Sequence, residues 1–168
     1  MLRAVTGHKG SFALATRVLG FEVHSSLMHQ GVSAIMEGAR LIDWANQRNA
    51  ENRAKPASDV DALFVPPWTT CHVGMISGGT ANNITAGECR FSMDFRLVPG
   101  ETLAQWEALY RAEVARVEAE MQAVHPDARI EVEQAYHVPA LQPETGGAAE
   151  ALVRSLTETD CPATSRSP

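Results

Sequence analysis

Cysteine is scarce in this chain: Cys71, Cys89 and Cys161 are odd in number, far apart and without a Cys-x-x-Cys pair. That argues against a disulfide framework and against a thiolate metal site. Cys71 and Cys89 alternate with apolar neighbours and are expected to be ordinary core thiols. No stretch approaches the ~20 apolar residues of a membrane span, and the opening MLRAVTGHKG has no apolar signal-peptide core. A cytoplasmic protein is expected. Positive charge is in deficit, with 14 lysines and arginines against 20 acids for a net charge of -6, spread rather than massed. Neither nucleic acid nor an anionic membrane is implied as a partner. What is present, 168 residues of which 45% are hydrophobic and 20% charged, is enough for one domain with a core and short for two.

The pattern of apolar residues orders the chain. Ser11 to Val23 (SFALATRVLGFEV) is rich in apolar and β-branched residues and reads as a long strand. From Val32 to about Asn49, Ile35, Gly38, Leu41, Ile42 and Ala45 recur at helical spacing. Asn49 to Asp61 (NAENRAKPASD…) is polar and holds a proline, which predicts a surface loop. Thr69 to Ile76 alternates and is broken by Gly78-Gly79, a strand running into a tight turn. Cys89, Phe91, Met93 and Phe95 then alternate strictly with Arg90, Ser92, Asp94 and Arg96, giving one buried and one wet face.

Thr102 with Gln105 is a capping-box arrangement. Leu103, Trp106, Tyr110, Val114, Val117, Met121 and Val124 follow as one helical stripe, ended by Pro126. Arg129 to Ala135 is a fourth strand, and Gly146 to Thr157 suits a short third helix. The order β-α-β-β-α-β predicts an α+β fold, a ferredoxin-like two-layer sandwich: a four-stranded antiparallel sheet with two helices on one face and the other face bare.

Chemistry is harder to place from residues alone. His24 and His29 flank a loop without H-x-D, H-E-x-x-H or a paired acid, so no self-contained metal site is indicated. Ser25 and Ser26 lack a nucleophile elbow, and capping or turn bonding is the plain alternative. Gly78-Gly79-Thr80 is a turn, with no lysine following that would make it a phosphate loop. Asn82-Asn83 is explained equally by turn conformation and by a binding role. Arg96 beside Asp94 is explained equally by a surface ion pair and by function. His8, His72, His125 and His137 have no nameable partners.

Taken together, GHKG, VHSS, GVSAI, PPWTTCHVG, GGTANNI and DFRLVPG resemble, in order and spacing, the lid or dimerisation domain of the metal-dependent aminoacylase and carboxypeptidase family. Within it the likeness is greatest to the acetylornithine deacetylase branch. The resemblance covers about residues 5 to 157. It implies a lid inserted in a catalytic domain that carries two zinc ions, with two lids pairing as a homodimer through a lid helix and an edge strand.

It further implies that His24 reaches into the other subunit's active site and stabilises the oxyanion, and that Asn83 and Arg96 bind the carboxylate of a small N-acylated amino acid. Arginine suits that role because its planar fork meets a carboxylate with two bonds. The expected boundaries are a hinge at 1–9, the lid at 10–140, a return toward the catalytic domain at 141–157 and a disordered tail at 158–168.

The departures are informative. A Val-Pro pair usually follows the asparagine motif in this family, whereas Thr85-Ala86 stand here, which predicts a looser turn. The family's zinc ligands and general-base glutamate lie before and after the lid, so this chain is expected to bind no metal, to be inactive alone and to be a fragment of a longer protein. Alternatives are a stand-alone homodimeric interaction module, or the lid of a related desuccinylase or carboxypeptidase.

Overall fold

The computed structural model describes residues 6–143 and 146–157, Ala149 and Thr157 by their backbone alone. Residues 1–5 of the expected hinge and the polar tail from 158 lie outside the described residues. The elements in order are β1 (Gly10–Leu19), a 3₁₀ turn (Ser25–Gln30), α1 (Ala34–Ala54), a second 3₁₀ turn (Asp61–Leu63), β2 (Thr70–Gly78), β3 (Glu88–Leu97), α2 (Leu103–Val124), β4 (Arg129–Val138) and α3 (Ala148–Thr157). Among the described residues the strands form one sheet in the order β2-β3-β1-β4, every neighbouring pair antiparallel. Each helical crossover therefore skips one strand, as the β-α-β-β-α-β order predicts.

The alternation in β3 makes the core. Cys89, Phe91, Met93 and Phe95 turn toward the helices with Phe12, Leu14 and Val18 of β1, and meet Leu41, Trp44 and Ala45 of α1 and Trp106, Tyr110, Val114, Val117 and Met121 of α2. Phe12 and Phe95 are cross-strand partners with rings stacked 4.3 Å apart. Fully burying a side chain of this size is worth ~1.5–3 kcal/mol, so this one face carries most of the fold's stabilisation. Tyr110 is fully buried, its hydroxyl 2.8 Å from that of Thr16, and burial pushes its phenol well above the ordinary value. Cys71 and Cys89 are buried free thiols, Cys71 pushed up to about 12 by desolvation. They are core thiols, as the sequence indicates.

The other sheet face carries Arg17, Glu88, Arg90, Asp94, Arg96 and Glu131. Arg17 bridges Glu88 at 2.7 Å and Glu131 at 3.2 Å. The capping box at Thr102 and Gln105 is formed. No helix among the described residues is long and apolar enough to cross a membrane.

Several boundaries differ from the sequence reading, those of β1 and α1 most of all. β1 stops at Leu19, and a Cβ at Gly20 would stand 2.1 Å from the carbonyl oxygen of Val32. There the chain pairs on both sides: the Gly20 N–H donates to Gly87 O, and Phe21 bridges Val32. α1 continues past Asn49 into the stretch read as a polar loop, because its asparagines face strand backbone. The Asn49 amide donates to Cys71 O at 2.7 Å and accepts from Cys71 N at 2.9 Å, and Asn52, 4% exposed, donates to Thr69 O at 2.8 Å. Polar residues are thus satisfied inside the fold by the outward groups of an edge strand.

Candidate functional site

His24 is exposed and precedes the 3₁₀ turn, with φ -61° and ψ 140°. Its Nδ1 accepts from the Ser26 backbone N–H at 3.3 Å and lies 2.8 Å from the Ser26 hydroxyl. A neutral ring that accepts at Nδ1 carries its proton on Nε2, so the imidazole offers an N–H donor to whatever approaches it. The cap of the turn is therefore the His24 ring itself, and Ser26 holds that ring through its N–H and hydroxyl rather than serving as the cap.

Asn83 is brought beside it. The Ser25 N–H donates to Asn83 O at 2.8 Å, and His24 bridges Ile84. The turn between β2 and β3 begins at Gly79, where φ is +77°, a conformation glycine adopts without steric penalty. The looser turn expected from Thr85-Ala86 is not found: Thr85 and Ala86 are both buried, and Thr85 binds Val23 through backbone and hydroxyl. Side-chain hydrogen bonding by threonine replaces the stiffness that a proline would give.

Arg96 is elsewhere. It stands opposite Ser11 near one end of the sheet, while Glu88, at the His24 end, pairs with Leu19. The strand between them spans about 27 Å at ~3.3–3.4 Å per residue. One chain therefore does not gather His24, Asn83 and Arg96 around a single small molecule. The ion pair with Asp94 is present, Nε donating to Oδ2 at 2.9 Å. Asp94 also accepts from the Tyr136 hydroxyl, which lies 3.0 Å from the Ser11 hydroxyl. Held through Nε alone among the described residues, the Arg96 guanidinium keeps both terminal nitrogens available for a carboxylate.

Several residues at these two ends carry no sequence signal of their own. The Lys9 amine donates to Trp68 O at 2.7 Å, and burial lowers it to about 8. This ties the start of β1 to the approach to β2, close to Arg96. Phe21, at the head of the His24 loop, stacks on His125 at 3.7 Å. Tyr136 sits on β4 beyond the expected strand end at Ala135. Only the fold brings these residues to their partners. Among the described residues no three His, Cys, Asp or Glu side chains converge to hold a metal ion.

A sheet of order β2-β3-β1-β4 backed by two helices, with a histidine loop fastened to one end, defines an α+β two-layer domain. The chain belongs to the peptidase dimerisation domain family (M20), whose profile matches residues 6–122. It is 32% identical over 163 residues to an acetylornithine deacetylase of Myxococcus xanthus, which covers 92% of this chain and 42% of that protein. It is 33% identical over 121 residues to an acetylornithine deacetylase of Proteus mirabilis, 70% of this chain and 30% of that one. The chain thus spans less than half the length of these relatives. Solved structures share the fold: an amidase of the hydantoinase/carbamoylase family from Burkholderia vietnamiensis (TM-score 0.70, 20% identity, 96% of this chain, 36% of that one) and the aminopeptidase PepT of Bacillus cereus (TM-score 0.69, 19% identity, 97% and 39%).

Proposed function

We propose that the chain is the lid and dimerisation domain of an acetylornithine-deacetylase-like zinc amidohydrolase, which hydrolyses N-acetylornithine to ornithine and acetate in arginine biosynthesis in the cytoplasm. The zinc ions belong to the catalytic domain, the part of the relatives that this chain does not span. By itself the chain is a binding and positioning element. His24 donates its Nε2 hydrogen to the oxyanion formed in the other subunit, an interaction of a kind worth ~2.7–4 kcal/mol. Asn83 and Arg96 take the substrate carboxylate.

The observation that carries this reading is the separation of Arg96 from the His24 and Asn83 pair. In an isolated chain the two groups lie at opposite ends of the sheet. A two-fold dimer through the β2 edge would run the two β2 strands antiparallel, and Gly78 is opposite Cys89 at the His24 end whereas Thr70 is opposite Arg96. Such pairing turns the His24 end of one copy toward the Arg96 end of the other, shortening the gap to about 14 Å at ~4.8 Å per strand. The β2 edge favours it: Met75 is 81% and Ile76 50% exposed, and Ile35 and Met36 are exposed at the start of α1. A Cβ at Gly79, just past β2, would stand 3.2 Å from Ile35 Cδ1, which makes this apolar surface continuous.

The hinge before residue 10, the lid to residue 140 and the return from 141 fit the same picture. α3 leaves Leu152 and Leu156 exposed, one turn apart, as suits a helix that packs against a domain the chain does not span.

Light scattering of the purified chain at high micromolar concentration tests the reading. A mass of about twice 18.2 kDa is expected for the wild type and a monomer for Ile76→Lys; a monomeric wild type would contradict it. With zinc and N-acetylornithine added, no turnover above that of zinc alone is expected.

A further inference from the structure

The six residues of the 3₁₀ turn after His24 bury nothing: Ser25, Ser26, Leu27, Met28, His29 and Gln30 are all exposed. With its own six side chains exposed, the turn is placed by hydrogen bonds and by the packing of the residues at its two ends, Phe21 on His125 and the buried Val32. Of the bonds that hold the segment leading into His24, three meet on the hydroxyl of one side chain. Thr85 is 9% exposed, and its hydroxyl accepts from the Val23 N–H at 2.8 Å and donates to Phe21 O at 3.0 Å, with Val23 O at 3.3 Å as its other acceptor. Its own N–H donates to Val23 O at 2.9 Å. The next amide on the far side of His24, that of Ser25, is taken by Asn83 O. Both peptide groups flanking the histidine are therefore fixed from the segment 83–85, and the Val23 amide depends on a hydroxyl.

The neighbouring backbone is shaped around that hydroxyl. A Cβ at Gly31 would stand 2.4 Å from Val23 Cγ2 and 3.0 Å from Thr85 Oγ1. The absence of a side chain at position 31 leaves the space in which the clasp closes.

We propose that Thr85 is a positioning residue for His24: its hydroxyl clasps the chain at Phe21 and Val23 and so fixes the height and orientation at which the imidazole leaves the sheet. The inference rests on the role given to His24 above. Its test reads geometry and needs no turnover, so a failure of the clasp and a failure of the catalytic reading are separate results.

The test is ¹⁵N NMR of the full chain with Thr85 changed to Val, Ala and Ser. Valine keeps the shape and removes the hydroxyl, leaving the part-buried Val23 N–H without its partner while Phe21 O keeps the Val32 N–H and Val23 O keeps the Thr85 N–H, so exchange of the Val23 amide should speed up roughly ten- to a hundred-fold. Core amides of β1 and β3, such as Leu14 and Met93, should keep their protection. The His24 ring nitrogens should move from a single Nε2–H tautomer toward a mixture, and Thr85→Ser should restore both signals. If Thr85→Val does not fold, Thr85→Ala poses the same question without the added methyl. Wild-type exchange at Val23 with an unmoved His24 ring in the hydroxyl-free variant overturns the proposal, as does loss of protection spread evenly over the core.

Discussion

His24 and Arg96 are both exposed, and both are held by short-range polar contacts through a single nitrogen. His24 is held through one ring nitrogen so that the other stays a donor, and Arg96, among the described residues, through Nε alone, so that its two terminal nitrogens remain for a ligand. Glu88, on the open sheet face, is instead engaged through both carboxylate oxygens. Hydrogen bonds from Arg90 and then Arg17 pull its carboxyl from 4.5 down to about 2. Because its folded value lies below the unfolded one, the stability it contributes is complete above pH ~4.5 and is lost as pH falls toward 2. Denaturation midpoints measured at intervals through that window should fall for the wild type and fall less steeply for Glu88→Gln. Equal slopes would show that the carboxylate is not engaged as described. At this scale the sequence was legible only in part. His24, Asn83 and Arg96 stand out through their motifs, but Thr85 reads as a weakening because the value of a buried hydroxyl depends on a backbone N–H sixty-odd positions away in the chain.

Helix α1 and strand β2 explain the largest discrepancy between pattern and element. Asn49 and Asn52 read as the start of a loop because asparagine is a poor helix former and breaks the apolar stripe. Their amides face the edge strand, where they occupy the outward backbone groups of Thr69 and Cys71. That covers the first third of the edge and leaves the later part, with Met75 and Ile76, open for pairing. Removing the buried amide strands Thr69 O, so Asn52→Ala should lower the unfolding free energy by about 1–3 kcal/mol with an unchanged denaturant slope. A loss under ~0.5 kcal/mol, the range of an ordinary surface change, would mean that the bond carries no weight. β3 and α2, by contrast, were legible nearly residue by residue. Their two-residue and three-to-four-residue periods come from burying one face each, and a side chain's own polarity records which face that is.

The whole molecule follows from element order. Two crossovers and one hairpin, with both helices amphipathic, leave one sheet face and two edges unused, and this was readable before any coordinates. The distance between the two ends of the sheet was not, since motifs close in a family pattern say nothing of where a strand carries them. Under the function proposed here, that distance is the reason for pairing: groups that lie apart in one copy are brought nearer across two. The central claim is that copies pair antiparallel along the open part of β2. It is tested most directly by isotope-filtered NOEs in an equimolar mix of ¹³C,¹⁵N-labelled and unlabelled chains. Intermolecular contacts among residues 73–78 of the two copies are predicted; contacts along β4 instead, or none at a concentration where the chain is dimeric, would contradict the account.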